Sequence, residues 1–249
     1  MERTKKLTAL AALVAVALAA PMAAEANTIT GSVSMLLQQP TTPVLGGDYT
    51  SPYAAAIAPG GGLTTASQFN AGNSFLSAII CDDFTTDVSA GLVWQATVTN
   101  MEAFNGGNTS ALKFEQGNSQ QLQDYKTVAQ LSEELVQVNP SSTTAQQLSY
   151  AIWYVFDGSH GGSSALSGLG SGDQAAALAD YHTAYGIAQG ADLGSYANID
   201  IYTPNALNAA GVNGSQEYIV VNPVPEPATL SLLGLGLAGV GFMRRRKRA

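Results

Sequence analysis

Polar and apolar residues alternate along several short segments in the middle of the chain. In the clearest of them, Trp94, Ala96 and Val98 alternate with the polar residues at positions 95, 97 and 99, a period of two that predicts a half-buried β-strand. Residues 27–38 begin with a similar alternation and predict an edge strand. Two further strands are expected, at residues 198–203 and 216–221.

Apolar residues recur at helical spacing in three other segments. The first predicted helix covers residues 119–138 and ends at Asn139-Pro140. The second covers residues 143–156, capped by Ser141 or Ser142, and the third covers residues 173–189. The expected inner face of the first helix comprises Leu122, Tyr125, Val128, Ala129, Leu135 and Val136; that of the second comprises Leu148, Ala151, Ile152 and Val155, widened by Trp153 and Phe156.

Residues 39–73 contain four prolines and two glycine clusters, which predict a long loop region. The expected fold class is therefore α+β, a single small ectodomain with antiparallel strands and about three helices. It is flanked by a signal peptide and a C-terminal transmembrane helix. The predicted boundaries are 1–26 for the signal peptide, 27–222 for the ectodomain and 223–249 for the C-terminal segment.

The N-terminus has the three parts of a secretory signal. A basic start is followed by the apolar run Leu7–Ala20 and by the small-residue site Ala24-Glu25-Ala26. We expect signal peptidase to cleave after Ala26, with Ala24 and Ala26 as the recognised residues. The alternative is an uncleaved membrane anchor, although 14 apolar residues are short of the roughly 20 that a spanning helix needs.

The C-terminus also has three parts in a fixed order. Pro225-Glu226-Pro227 precedes an uncharged segment at residues 228–243, and a basic cluster at residues 244–248 follows. A helix over residues 228–243 would rise about 24 Å, nearly enough to span the hydrocarbon core, and the basic cluster would remain cytoplasmic. The sequence thus predicts an inner-membrane intermediate whose residues 27–222 are exported.

This C-terminal arrangement resembles the sorting signal of the PEP-CTERM family. The resemblance implies recognition of Pro225, Glu226 and Pro227 by an exosortase-type processing enzyme, with Arg244, Arg245 and Arg246 completing the signal. It further implies delivery to the cell envelope, the surface or the extracellular matrix, with exopolysaccharide as a partner. An ordinary tail anchor is the alternative interpretation.

Charge excludes one class of function for the ectodomain. Residues 27–222 contain two cations, Lys113 and Lys126, and fifteen carboxylates, a formal net charge of −13. Nucleic-acid binding depends on lysine and arginine contacts with phosphates. We therefore expect no nucleic-acid partner.

The single cysteine, Cys81, begins a Cys81-Asp82-Asp83 run, and an Ala151-Ile152-Trp153 triplet follows later. The two segments resemble the thioester domains of bacterial surface adhesins, in which a glutamine two residues before such a triplet bonds to the cysteine. Here that position is Ser149, and Gln147 lies two residues upstream, about 200° around a helix. The favoured expectation is a buried, unreacted Cys81; an adhesin with a Cys81–Gln147 thioester is the alternative.

No cofactor or metal is expected. Asp82, Asp83 and Asp87 could supply oxygen ligands to calcium, but solvated loop carboxylates are the favoured interpretation. His160 and His182 are the only histidines, and their spacing forms no zinc motif. We expect a non-enzymatic structural or interaction role; a secreted hydrolase is the remaining alternative.

Overall fold

A computed structural model describes residues 31–38, 44–84, 89–104, 112–114, 119–157, 165–205 and 216–223. Its strands are antiparallel, and three α-helices accompany them. This agrees with the α+β class expected from the sequence. The strands are β1 (Gly31–Leu37), β2 (Val44–Leu45), β3 (Asp48–Tyr49), β4 (Tyr53–Pro59), β5 (Phe75–Cys81), β6 (Val93–Asn100), β7 (Ile199–Pro204) and β8 (Tyr218–Val221).

Six of the strands close into a small barrel in the order β1-β4-β5-β8-β7-β6. Each is hydrogen-bonded to a neighbour on both sides, and β2 and β3 form a separate hairpin. The prediction of an edge strand at residues 27–38 was therefore wrong, because β1 lies between β4 and β6. A barrel with few strands has an interior that side chains fill.

Strand β6 confirms the prediction from alternation. Trp94, Ala96 and Val98 are buried, with 3%, 0% and 6% of their surface exposed, and the polar residues between them are half-buried. The apolar side chains of this strand therefore point into the core.

Strand β4 lies inside the segment that was predicted as a long loop. Its sequence is Ala-rich, and alanine is depleted in strands, but Ala55, Ile57 and Ala58 are buried and the strand pairs with β1 and β5. Of the prolines and glycines that suggested a loop, Pro52 and those at positions 59–62 stand at its two ends.

The helices are α1 (Ser119–Leu135), α2 (Thr143–Asp157) and α3 (Ser171–Gly190), close to the three predicted. They pack against one another, and α1 also contacts β8 while α2 contacts β5. On α1 the expected inner face is buried except for half-buried Leu122 and for Val136, which lies beyond the last helical residue and is 44% exposed. Ser142 caps α2 by accepting a hydrogen bond from the Ala145 N–H at 3.1 Å.

One hydrophobic cluster joins the barrel interior to the inner faces of the helices. Within the portion of the chain that the structure describes, no helix is both long and apolar enough to cross a bilayer. The predicted signal peptide and the predicted membrane helix at residues 228–243 lie outside that portion.

Candidate functional site

Four polar residues meet where strand β5 ends and strand β8 begins. Cys81, the last residue of β5, pairs with Tyr218, the first residue of β8. Because the strands are antiparallel, the next residues of one chain segment lie opposite the preceding residues of the other. Asp82 and Asp83 are thereby brought beside Glu217 and Gln216, and Gln216 Nε2 donates to the Asp83 carbonyl at 2.9 Å.

The Glu217 carboxylate is fully buried and accepts three hydrogen bonds. Tyr125 Oη donates to Oε1 at 2.5 Å, the Lys113 N–H donates to Oε2 at 3.0 Å, and the Thr203 hydroxyl also donates to Oε2. Burial raises the pKa of Glu217, whereas the three donors lower it. Because these hydrogen bonds favour the charged form, Glu217 ionises more readily than a buried carboxyl group without donors.

The Asp82 side chain has a different environment. It is fully buried, and neither carboxyl oxygen has a hydrogen-bond partner of normal geometry among the described residues. Burial raises the pKa of Asp82 well above its usual range, and the nearby charges of Glu217 and Asp83 raise it further. Asp82 is therefore the protonated member of the Asp82–Glu217 pair.

Asp83 forms an ion pair with Lys113. Its carboxylate is fully buried and contacts Lys113 Nζ through Oδ2, while the lysine side chain keeps 26% of its surface exposed. The segment around the lysine is held in place, since Leu112 is buried and the Phe114 ring stacks on Phe156 of α2 with centroids 4.2 Å apart.

The burial of these acids contradicts the interpretation of Asp82 and Asp83 as solvated loop carboxylates: both side chains have no exposed surface. Asp87 lies outside the described residues. Among the described segments, no group of three or more His, Cys, Asp or Glu side chains is placed to hold a metal ion.

The Cys81 thiol is buried, as predicted. Burial raises the pKa of Cys81 well above its usual range, and the charges of Asp82 and Asp83 raise it further. Its Sγ–H donates to the Asp83 carbonyl at 3.2 Å, and its N–H donates to Ser51 Oγ at 2.9 Å. Since the thiolate is the nucleophilic form, this environment favours the less nucleophilic thiol.

The residues of the thioester resemblance lie partly together. Ser149 donates to the Ser51 carbonyl at 3.2 Å, so the serine at the glutamine position reaches the residue that also holds Cys81. Gln147 points elsewhere, and its amide donates to Asp173 on α3 at 2.9 Å. Thus the structure brings Ser149, rather than Gln147, towards Cys81.

A pocket of about 150 Å³ opens beside Asp83. Its buried lining residues include Asp83, Gln216 and Trp153, and the exposed residues Asp48 and Tyr49 stand at its rim. The remaining lining residues are Leu37, Gly47, Tyr53, Phe84 and Ala90.

The β2–β3 hairpin carries the rim of this pocket and is held against helix α2 by Tyr150. Tyr150 Oη lies 2.5 Å from the Leu45 carbonyl and 3.0 Å from Asp48 Oδ2. Gly46, in the turn, has φ +65°, and a Cβ there would lie 2.5 Å from the same hydroxyl. Only glycine fits this conformation and this close approach, so the turn sets the position of Asp48 and Tyr49.

Several predicted site residues lie outside the described residues: Ala24, Ala26, Pro225, Glu226, Pro227, Arg244, Arg245, Arg246 and His160. His182 is exposed on α3, where its ring packs beside Tyr181 with centroids 5.1 Å apart.

Comparison with known families bears on the end of the chain. Residues 223–247 match the family described as the PEP-CTERM protein-sorting motif. The chain carries a PEP-CTERM sorting domain. The PEP-CTERM motif indicates a protein that an exosortase system sorts, and PEP-CTERM proteins are exported to the cell envelope or surface. No curated protein matches the chain. The likeness to thioester adhesins therefore rests on Cys81 and the Ala151-Ile152-Trp153 triplet alone.

Glu217, Lys113 and Tyr125 were not predicted from the sequence as residues of this site. One signal was available for the first of these: Glu217 stands directly before the apolar run of residues 218–221, where a carboxylate is unexpected unless it is paired. For Lys113 the signal was its rarity, because the ectodomain has only one other lysine.

Proposed function

We propose that this PEP-CTERM protein is exported, processed by an exosortase-type enzyme and delivered to the cell envelope or extracellular matrix. There its barrel domain has a non-enzymatic structural or interaction role. The sorting motif at residues 223–247 carries this proposal. The motif begins two residues after β8 ends at Val221, so the sorting signal follows the last barrel strand almost directly.

The route includes two membrane steps. Signal peptidase removes residues 1–26 by cleaving after Ala26, and the helix at residues 228–243 then holds an inner-membrane intermediate. Arg244, Arg245 and Arg246 remain cytoplasmic because cationic flanks resist translocation. Processing near Pro225-Glu226-Pro227 ends this stage.

The interaction that the pocket beside Asp83 supports best is with one sugar unit of an exopolysaccharide. Sugar rings present hydroxyl groups at their edges and C–H groups on their faces. For the hydroxyls, the pocket offers the Asp48 carboxylate and the second lone pair of Gln216 Oε1, which also accepts from Tyr218 Oη at 3.0 Å. It also offers the Tyr49 ring, 53% exposed at the rim, for a C–H face. A concave site with aromatic walls and a few fixed polar groups is typical of small-ligand binding.

Replacing the rim tyrosine tests this interaction. We expect Tyr49→Ala to weaken binding of the full-length protein to exopolysaccharide purified from its native host by about tenfold, equivalent to about 1.4 kcal/mol. Affinity electrophoresis in gels that contain the polysaccharide measures the effect. The matched control is Tyr185→Ala, which removes a tyrosine on α3 outside the pocket lining.

Equal binding by Tyr49→Ala and Tyr185→Ala would contradict a sugar site at this pocket, as would absence of binding by the wild-type protein. The same samples address the hydrolase alternative. Release of reducing ends that disappears in His160→Ala or His182→Ala would favour a secreted hydrolase over the non-enzymatic role.

The adhesin alternative has one observation in its favour: Cys81 and Ser149 both bond to Ser51, as the resemblance to thioester domains leads one to expect of those two positions. A serine hydroxyl lacks the acyl carbon that a thioester needs. An adhesin of this kind would therefore require Gln147 to leave Asp173 and turn towards the sulfur.

A further inference from the structure

Lys113 and Asp83 are 30 positions apart in the sequence, and their side chains meet where Asp83 is fully buried and Lys113 is partly exposed. The two groups are the reactants of amide formation, an amine and a carboxyl, and Nζ contacts Oδ2 directly. Their positions are fixed by separate anchors. The Lys113 N–H is held by Glu217, and the Asp83 carbonyl is held by Gln216 and Cys81.

The groups around this contact are those that amide formation needs. Asp82, next to Asp83 in the chain, is fully buried with both carboxyl oxygens unpartnered among the described residues. Glu217 lies close to Asp82 and bonds to the backbone of Lys113. Asp82 thus adjoins the target carboxyl along the chain, and the Glu217 carboxylate lies at the backbone of the lysine that bears the amine.

We propose that Lys113 and Asp83 form an intramolecular isopeptide bond, an amide between Nζ of the lysine and Cγ of the aspartate. The Nζ–Cγ bond forms, the Cγ–Oδ2 bond breaks, and the oxygen leaves as water. Of the three protons on the ammonium, one stays on the amide nitrogen and two are carried away by the water. No oxidant, metal or cofactor is consumed, and the overall charge is unchanged.

The neighbouring acids move the protons. Glu217 accepts a proton from the ammonium, which frees the nitrogen lone pair to attack Cγ. Asp82 donates one proton to Oδ2, and the nitrogen then passes its second proton to the same oxygen, which leaves as water. Glu217 returns its proton to Asp82, so both acids end as they began. The partial exposure of the lysine side chain, 26%, gives the water a way out.

Burial also favours the product. Two opposite charges that are largely withdrawn from water bear a desolvation cost, and one neutral amide replaces both. The product would link the end of β5 covalently to residues 112–114, a cross-link that suits an exported protein whose only cysteine cannot form an internal disulfide.

Intact and peptide-level mass spectrometry of the full-length chain tests the bond. The wild type should weigh about 18 Da less than its sequence, after allowance for its mapped ends, because one water is lost. Trypsin should fail to cleave after Lys113 while still cleaving after Lys126. Digestion with pepsin should yield a branched peptide that contains both Asp83 and Lys113.

Lys113→Arg keeps a cation opposite Asp83 but removes the nucleophilic amine, so its mass should equal that of its sequence. Lys126→Arg changes the other ectodomain lysine and should still show the loss. Asp82→Asn removes the proton donor and should reduce the cross-linked fraction at least tenfold under the same expression conditions.

An unmodified wild-type mass together with tryptic cleavage after Lys113 would overturn the proposal and leave an ordinary ion pair, even if every variant failed to fold. A cross-linked Asp82→Asn protein would overturn the role given to Asp82. A loss of about 17 Da that methylamine reverses would instead identify a thioester at Cys81. None of these outcomes bears on export or sorting, so failure here leaves the proposed function standing.

Discussion

At the scale of single residues, the Asp82–Glu217 pair shows how strand register determines chemistry. Asp82 has no hydrogen-bond donor of its own, whereas Glu217 has three. Two neighbouring buried carboxyl groups cannot both ionise without a large cost in free energy. The proton therefore stays on Asp82, and the pair keeps one negative charge beside the Lys113–Asp83 contact.

This arrangement predicts a pH dependence of stability. The folded pKa of Asp82 lies well above its unfolded value, and that of Glu217 is also raised. Between the unfolded and the folded pKa of each group, the folded state therefore binds more protons than the unfolded state. The free energy of unfolding then falls as pH rises. We expect the free energy of unfolding to decrease by up to about 1.4 kcal/mol per pH unit for Asp82 above roughly pH 4.

Urea unfolding of the wild type and of Asp82→Asn from pH 4 to pH 8 measures this effect. The asparagine is neutral at every pH, so the variant should show a smaller slope and should gain stability relative to the wild type as pH rises. The matched control, Asp173→Asn on α3, should leave the slope unchanged. A wild-type slope equal to that of Asp82→Asn would contradict a buried, protonated Asp82.

Much of this site was beyond sequence reasoning, for a physical reason. The sequence identified Cys81 as buried and marked Asp82 and Asp83 as an unusual run, but it placed the two acids in solvent. Their burial depends on pairing between Cys81 and Tyr218, 137 positions apart. No local pattern encodes a contact at that separation, and the same holds for Lys113 and Glu217.

At the scale of single elements, the start of helix α2 depends on one side chain. Ser142 Oγ accepts from the Ala145 N–H and so satisfies an N–H group that has no partner within the helix. We expect Ser142→Ala to lower the free energy of unfolding by about 1 kcal/mol, measured by urea denaturation.

Ser141→Ala is the matched control for the cap, because Ser141 is exposed and donates its backbone N–H, rather than its hydroxyl, to Asn139 Oδ1. The control should change stability little. Equal losses in the two variants would show that Ser142 does not act as the cap.

The elements that the sequence predicted well are those with strong local periodicity. Strand β6 alternates cleanly, and α1 and α2 repeat their apolar residues at helical spacing. Strand β4 was missed because its small alanines carry little strand preference and because they are buried by β1 and β5 on either side. The turn residues at its ends led to the prediction of a loop over the whole segment of residues 39–73.

At the scale of the whole molecule, closure of the barrel involves both ends of the described chain. Strand β1 begins at Gly31, and β8 ends at Val221, where it joins β5 to β7. The barrel is complete only when residues up to Val221 are available. The PEP-CTERM motif starts at residue 223, so the sorting signal begins just after the last strand that closes the barrel.

Export followed by sorting is the central claim, and mapping both ends of the protein recovered from its native host tests it directly. Peptide mass spectrometry should find a mature N-terminus at Asn27 and, when the exosortase-type enzyme is present, no peptide that contains Arg244, Arg245 or Arg246. In cells that lack that enzyme the arginine cluster should be retained. A mature protein that keeps both its first 26 residues and its arginine cluster when the enzyme is present would contradict the account.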